Sequence, residues 1–255
     1  STPIKSSAAS DVYKRQPVNY LIKIRRENAM FNILKSYEKT PQTIVQAYNA
    51  LSESASINEC LPNKDGALHS RIRPVWKGIR MCGTALTVEC GIGDNLILHK
   101  AISMAQPGDV LMVINGMHDE AGGMFGEMMA ASLKGRRAAG IVLECSCRDT
   151  IAIESMHFPV FSTGISIKPT SKVCPGRINH PIVIGGVYVR PGDLVFGDND
   201  GVVVVPREIS ESILTQALAR EEKEANMREH ILNGEFTTFK MFEESYNSLH
   251  LLEEL

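Results

Sequence analysis

Residues 126 to 149 read GEMMAASLKGRRAAGIVLECSCRD. The first half has the spacing of a helix opening at Gly126. The second half, GIVLECS, is apolar without alternation, as expected for a strand covered on both faces. That strand ends in two cysteines and sets Arg148 and Asp149 side by side at its mouth. The same grammar recurs upstream. IRMCGTALTVEC (79–90) reads as a strand, GDNLILHKAISMA (93–105) as a helix capped by Asp94 or Asn95, and PGDVLMVING (107–116) as a turn and buried strand. FPVFSTG (158–164) reads as one more short strand. Strand and helix alternating in this way predict an α/β core with parallel pairing.

Outside this core the texture changes. AMFNILKSYEK (29–39) is expected to be helical, and Thr40 and Pro41 to supply the N-cap and first position of a helix through IVQAYNALSES. VIGGVYVRPGDLVFGDNDGVVVVPRE (183–208) predicts a β-rich layer punctuated by GG, PGD and DNDG turns. DNDG lacks the further ligands and closing glutamate of a calcium loop and is read as a turn. From Pro206 a long helix is expected to run to Asn233-Gly234, with Ile209, Ile213, Ala217 and Ile231 marking its apolar stripe and Glu224 close to it. The expected organisation is a disordered or non-native leader over residues 1–29, a catalytic domain over 30–235 and a helical tail over 236–255.

The chain has 255 residues, 44% hydrophobic and 22% charged, enough apolar residues for a sizeable core. A formal net charge of -2 gives no basic field to gather nucleic acid or an anionic membrane. No apolar run is long enough to span a bilayer, and the polar N-terminus lacks the apolar centre of a secretory signal, so a cytoplasmic location is expected. Six scattered cysteines without a CxxC pair read as reduced, mostly buried thiols rather than a zinc or disulfide framework.

In open α/β sheets ligands sit beyond the carboxyl ends of the strands. Arg148 and Asp149 occupy such a place, and GGMFGEMM (122–129) precedes them with glycines that admit close backbone approach. The first amides of a helix there, around Glu127 to Met129, lack intrahelical acceptors and carry the positive end of the dipole. A helix start and a guanidinium together suit a carboxylate, because both present paired donors. Asp149 adds the hard oxygen that Mg²⁺ or Mn²⁺ accepts while keeping several waters. These groups suit a 2-oxo acid, with its carboxylate on Arg148 and its carbonyl beside a cation on Asp149. The competing reading is a solvated surface ion pair.

Four ordered blocks, GTALTVEC, GDNLILHKAISMAQPGDVLMV, GEMMAASLKGRRAAGIVLECSCRD and PIVIGGVYVRPGDLVFGDNDGVVVVP, resemble the RraA-like family from about Thr40 to Gly234. The resemblance is to its metal-dependent 4-hydroxy-4-methyl-2-oxoglutarate / 4-carboxy-4-hydroxy-2-oxoadipate aldolases. It implies a swivelling three-layer β/β/α fold with a long C-terminal helix, and pyruvate as a product. It implies that Arg148 binds the pyruvyl carboxylate, that Asp149 holds Mg²⁺ or Mn²⁺, and that Gly126, Glu127, Met128 and Met129 line the substrate, with Glu127 steadying water. Sites between subunits of a homotrimer or homohexamer are also implied, with a glutamate from the neighbouring C-terminal region; Glu224 is the match and Glu221 the fallback. The activity implied is a class II type retro-aldol cleavage, with oxaloacetate decarboxylation as a side activity. Glu144-Cys145 departs from the family's Asp-Gly, and methionines replace leucines after Glu127, which bears on substrate range. The rival implied by the same resemblance is a non-catalytic regulator of an RNA-degrading endonuclease; a third reading is a small-acid binding protein.

Overall fold

The apolar runs become strands because each finds cover on both sides. The structure is a computed structural model that describes residues 32–116 and 122–251, so the expected leader over 1–29 lies outside the described residues. In chain order come α1 (Gln42–Ala47), α2 (Ser54–Cys60), β1 (Arg73–Pro74), β2 (Met81–Glu89), α3 (Leu96–Met104) and β3 (Asp109–Ile114). Next are β4 (Gly123–Phe125), α4 (Glu127–Gly135), β5 (Gly140–Cys147), α5 (Thr150–Ser155), β6 (Val160–Ile165) and β7 (Arg177–Ile178). The chain continues with β8 (Ile182–Ile184), β9 (Val187–Val189), β10 (Leu194–Gly197), β11 (Val202–Val205), α6 (Ser210–Leu232) and α7 (Glu243–Asn247).

The main sheet runs β1-β6-β5-β3-β2-β10-β11, with β4 added to β5 and β7 to β2. Its centre is parallel, β6, β5, β3 and β2, as the βα grammar predicts. The β-rich half joins antiparallel: β10 pairs with both β2 and β11. Alternate residues of one strand point to opposite faces. Ile141, Leu143, Cys145 and Cys147 of β5 pack with Leu98, Ala130, Leu133 and Ile153 of the helices. Val142 turns the other way and packs with Ile182, Ile184 and Val189 of the β8–β9 hairpin. Further along the helical face, Leu194, Phe196, Val203 and Val205 meet Tyr48, Leu51, Ile57, Ile213 and Ala217. Helices, large sheet and hairpin make the three-layer β/β/α arrangement.

Three local expectations are corrected. Residues 32–39 are not helical: Ile33 bridges Ile178 and the Leu34 amide donates to the Ile178 carbonyl (3.1 Å). A short helix is marginal on its own, and a sheet partner outcompetes it. Thr40 does not cap α1; its hydroxyl and amide both donate to the Gly192 carbonyl, at 3.1 and 2.9 Å, and Pro41 takes the N-cap position. The helix expected through Ser54 is broken in two. The Arg80 guanidinium draws off the carbonyls of Asn49 and Leu51, and the Asp198 carboxylate takes the amide and hydroxyl of Ser54, where α2 starts. The DNDG segment is the β10–β11 turn, closed by Asp198 Oδ1 on the amides of Asp200 and Gly201. The long helix ends where read, with Gly234 at φ 75° donating to the Ile231 carbonyl. No helix among the described residues is long and apolar enough to cross a membrane.

Candidate functional site

Strand β5 delivers Arg148 and Asp149 to the sheet edge above β4, where the Arg148 amide donates to the Phe125 carbonyl (2.9 Å). Asp149 then turns into the left-handed region (φ 60°, ψ 38°) at the N-cap of α5. Its side chain does not cap that helix. Oδ2 instead accepts the amide of Glu127, the first residue of α4, at 3.0 Å. A carboxylate is thus set at the positive end of the preceding helix, where an anion is favoured. The Arg148 Nε lies 3.7 Å from the same oxygen. The two side chains are 45% and 43% exposed, so they meet each other and still open to solvent.

The glycines before α4 are what allow this convergence. A Cβ at Gly126 would stand 2.5 Å from Asp149 Oδ2 and 3.2 Å from Arg148 Cγ and Nε. One at Gly123 would stand 2.3 Å from the Ser166 carbonyl oxygen and 3.2 Å from Arg148 Cβ and Cδ. The Arg148 stem therefore lies along bare backbone. Of the first-turn amides read as a cradle, that of Glu127 is taken by Asp149 and that of Met129 by the Gly126 carbonyl (3.1 Å). Met128, a residue 76% exposed, keeps an amide without an acceptor among the described residues. The side chain of Met129 is buried beneath it.

The residues just before α3 contribute a group whose role the sequence left ambiguous. Asp94 and Asn95 both read as caps; Asp94 performs that task, its Oδ1 accepting the Leu96 amide (2.9 Å). Asn95 is freed to reach across, Nδ2 donating to the Met124 carbonyl (2.9 Å) just before α4, while its Oδ1 is buried without a partner among the described residues. Asp94 Oδ2 accepts the Ser171 hydroxyl and the amides of Val173 and Cys174. Burial opposes its ionisation, but the donors of Val173, Leu96, Ser171 and Cys174 outweigh that and hold the carboxyl at about 2. This carboxylate pins the segment that follows β6, which also lends the Lys168 carbonyl to the Gly123 amide (2.9 Å).

The C-terminal glutamates lie elsewhere on the chain. Both are on α6, which packs on α1 and α2 and shares its apolar cluster with β10 and β11, whereas Arg148 and Asp149 border the cluster of α3, α4 and α5. Glu224 pairs with Arg220 (2.7 Å), and Glu221 accepts the amides of Ser52 and Glu53.

Among the described residues no three acidic, histidine or cysteine side chains gather as a metal cage. A cation here would have one protein carboxylate and a shell of water, the coordination that Mg²⁺ favours. Asp149 fits that role, since Oδ1 accepts no hydrogen bond among the described residues and the side chain is open to solvent.

Comparison with known proteins agrees with this architecture. The family model described as "RraA-like: Aldolase/RraA" matches residues 54–204. A protein of Halalkalibacterium halodurans named "Putative 4-hydroxy-4-methyl-2-oxoglutarate aldolase" is 39% identical over 150 residues, covering 59% of this chain and 71% of its own. A crystal structure of a protein from Pseudomonas syringae pv. tomato superposes with a TM-score of 0.69 at 26% identity, over 80% of this chain and 98% of that one. RraAS2 of Streptomyces coelicolor, described as an unusual member of the RNase ES inhibitor RraA protein family, gives 0.66 at 28% identity, over 76% and 99%. With more than half of its length matched in order by the family model, the chain belongs to the RraA-like family.

Proposed function

We propose that the protein is a divalent-metal-dependent aldolase that cleaves 4-hydroxy-4-methyl-2-oxoglutarate or 4-carboxy-4-hydroxy-2-oxoadipate to pyruvate and a second 2-oxo acid. The observation that carries this reading is the convergence of a guanidinium, a carboxylate and the first turn of α4 at one strand mouth. Arg148 binds the substrate carboxylate, helped by the free amide of Met128. A Mg²⁺ or Mn²⁺ ion held by Asp149 supplies positive charge beside the 2-oxo group when bound.

The remaining steps belong to the chain's own acids. Glu224 of a neighbouring copy accepts the proton of the C4 hydroxyl, and Glu127 orders water at the mouth. The O–H electron pair becomes the new C4 carbonyl bond, the C3–C4 pair moves into a C2–C3 double bond as the C2 carbonyl pair shifts onto its oxygen, and return of that pair with protonation of C3 by water at the mouth yields pyruvate. Loss of CO₂ from oxaloacetate leaves the same enolate, so oxaloacetate decarboxylation is expected alongside. This scheme needs a homotrimer or homohexamer in which α6 of one copy reaches the strand mouth of the next.

The test is pyruvate release from oxaloacetate and from 4-hydroxy-4-methyl-2-oxoglutarate, with Mg²⁺ or with chelator. Release that needs the metal and vanishes in Asp149→Ala supports the lyase. Arg148→Ala is expected to raise KM by roughly 10- to 100-fold, the loss of a charge-assisted hydrogen bond. A silent wild type with every substrate and metal would favour the second reading, a binding protein like the RNase ES inhibitor relatives, which the likeness to RraAS2 supports.

A further inference from the structure

Two glutamates three residues apart on α6 are held in different ways. Glu221 Oε1 and Oε2 lie 2.9 and 3.0 Å from the Ser52 amide, and Oε1 also accepts the Glu53 amide at 3.1 Å. Both its oxygens are committed to closing the entry of α2. Glu224 keeps Oε1 on Arg220 Nη2 at 2.7 Å, and its Oε2 has no partner among the described residues. Glu224 is therefore the one of the pair able to act on something outside its own chain.

Arg220 is itself constrained. Its Nε is buried with no hydrogen-bond partner among the described residues, while the side chain as a whole is 40% exposed, so one edge of the guanidinium is seated against the protein and the other reaches Glu224. Glu59 and Cys60 of α2 face the same spot: burial raises the Cys60 thiol, the Arg220 cation lowers it, and Glu224 and Glu59 raise it. An arginine preceding a glutamate by four residues is the weaker order for helix stability, and such pairs contribute only a few tenths of a kcal/mol. The pair therefore adds little stability; what its geometry does is engage Oε1 of Glu224 and leave Oε2 open.

We propose that Arg220 is a positioning residue for Glu224, holding one carboxylate oxygen so that the other is presented to the substrate site of a neighbouring copy. The proposal rests on the aldolase reading above and assigns a role to a residue that does not touch substrate.

The experiment is a double-mutant cycle on the full chain with 4-hydroxy-4-methyl-2-oxoglutarate and Mg²⁺, following pyruvate: wild type, Arg220→Met, Arg220→Lys, Glu224→Gln, and Arg220→Met with Glu224→Gln, each checked by circular dichroism and thermal melting. Arg220→Met is expected to lower kcat about tenfold, with KM within about twofold and an unchanged melting temperature. Arg220→Lys is expected to recover most of that loss. In the Glu224→Gln background, Arg220→Met is expected to have no further effect, because the two act as one unit. Equal losses in both backgrounds, or full activity in Arg220→Met, would overturn the proposal while leaving the aldolase reading intact. A wild type that releases no pyruvate would remove both.

Discussion

Gly126 decides the geometry of the strand mouth. Its backbone is extended (φ -151°), a conformation any residue adopts, so its importance is purely one of space. An added methyl group would stand 2.5 Å from the Asp149 oxygen that accepts the Glu127 amide. Gly126→Ala is therefore expected to push the carboxylate aside and lower kcat/KM about 100-fold, with far-ultraviolet circular dichroism unchanged. Activity within threefold of wild type would mean that the carboxylate is not used where it stands. The run GGMFG was legible as a place of close backbone approach. What approaches it was not, because Asp149 comes from the next strand, 23 residues away, and only the folded sheet brings it back. The roles of Asp94 and Asn95 were ambiguous for the same reason: two adjacent capping residues can divide labour in either order, and the neighbour at Met124 settles it.

At the scale of elements, the start of α3 and the segment after β6 are joined by backbone bonds of Gly93 and Asn95 with Ser171 and by one buried side chain, that of Asp94. Its folded carboxyl sits at about 2, below the ordinary value near 3.9. The sign follows: its contribution is complete above about pH 4 and is lost as the pH falls through about 2, amounting to roughly 2 to 3 kcal/mol at neutral pH. Asp94→Asn is thus expected to lower the urea midpoint at pH 7 and to differ progressively less from wild type as the pH drops towards 2. A gap that stays constant with pH would show that the carboxylate charge is not what holds the segment. Elements with a local signature were legible: β2, β3, β5 and β6 from their apolar runs, α3 and α4 from their caps, α6 from its stripe and its terminal glycine. Residues 32–39 and the break between α1 and α2 were not, because Ile178, Arg80 and Asp198 impose them from far along the chain.

For the whole molecule, the strand mouth and α6 border different apolar clusters on the same face of the sheet, so the role proposed for Glu224 requires a second copy. Subunit mixing tests this. Asp149→Asn and Glu224→Gln proteins, each expected to keep only a small residual activity alone, are expected to regain activity when refolded together. In a trimer with every site shared between two copies, about a quarter of the mixed sites carry both native residues. No recovery, despite hetero-oligomers on native mass spectrometry, would place both groups in one chain. A single sequence carries the polarity of every strand but not the symmetry by which copies meet, which is why the assembly was legible only through resemblance.

The oxygen of Asp149 that closes the start of α4 has an implication for how this architecture changes over time. That structural duty asks only for an acceptor, and an asparagine there would still provide one while giving a divalent ion a poorer ligand. Shape and reactivity can accordingly part company at one codon, leaving an intact scaffold free to be recruited for recognition alone. In this chain the position is an aspartate, the side chain that the proposed turnover requires.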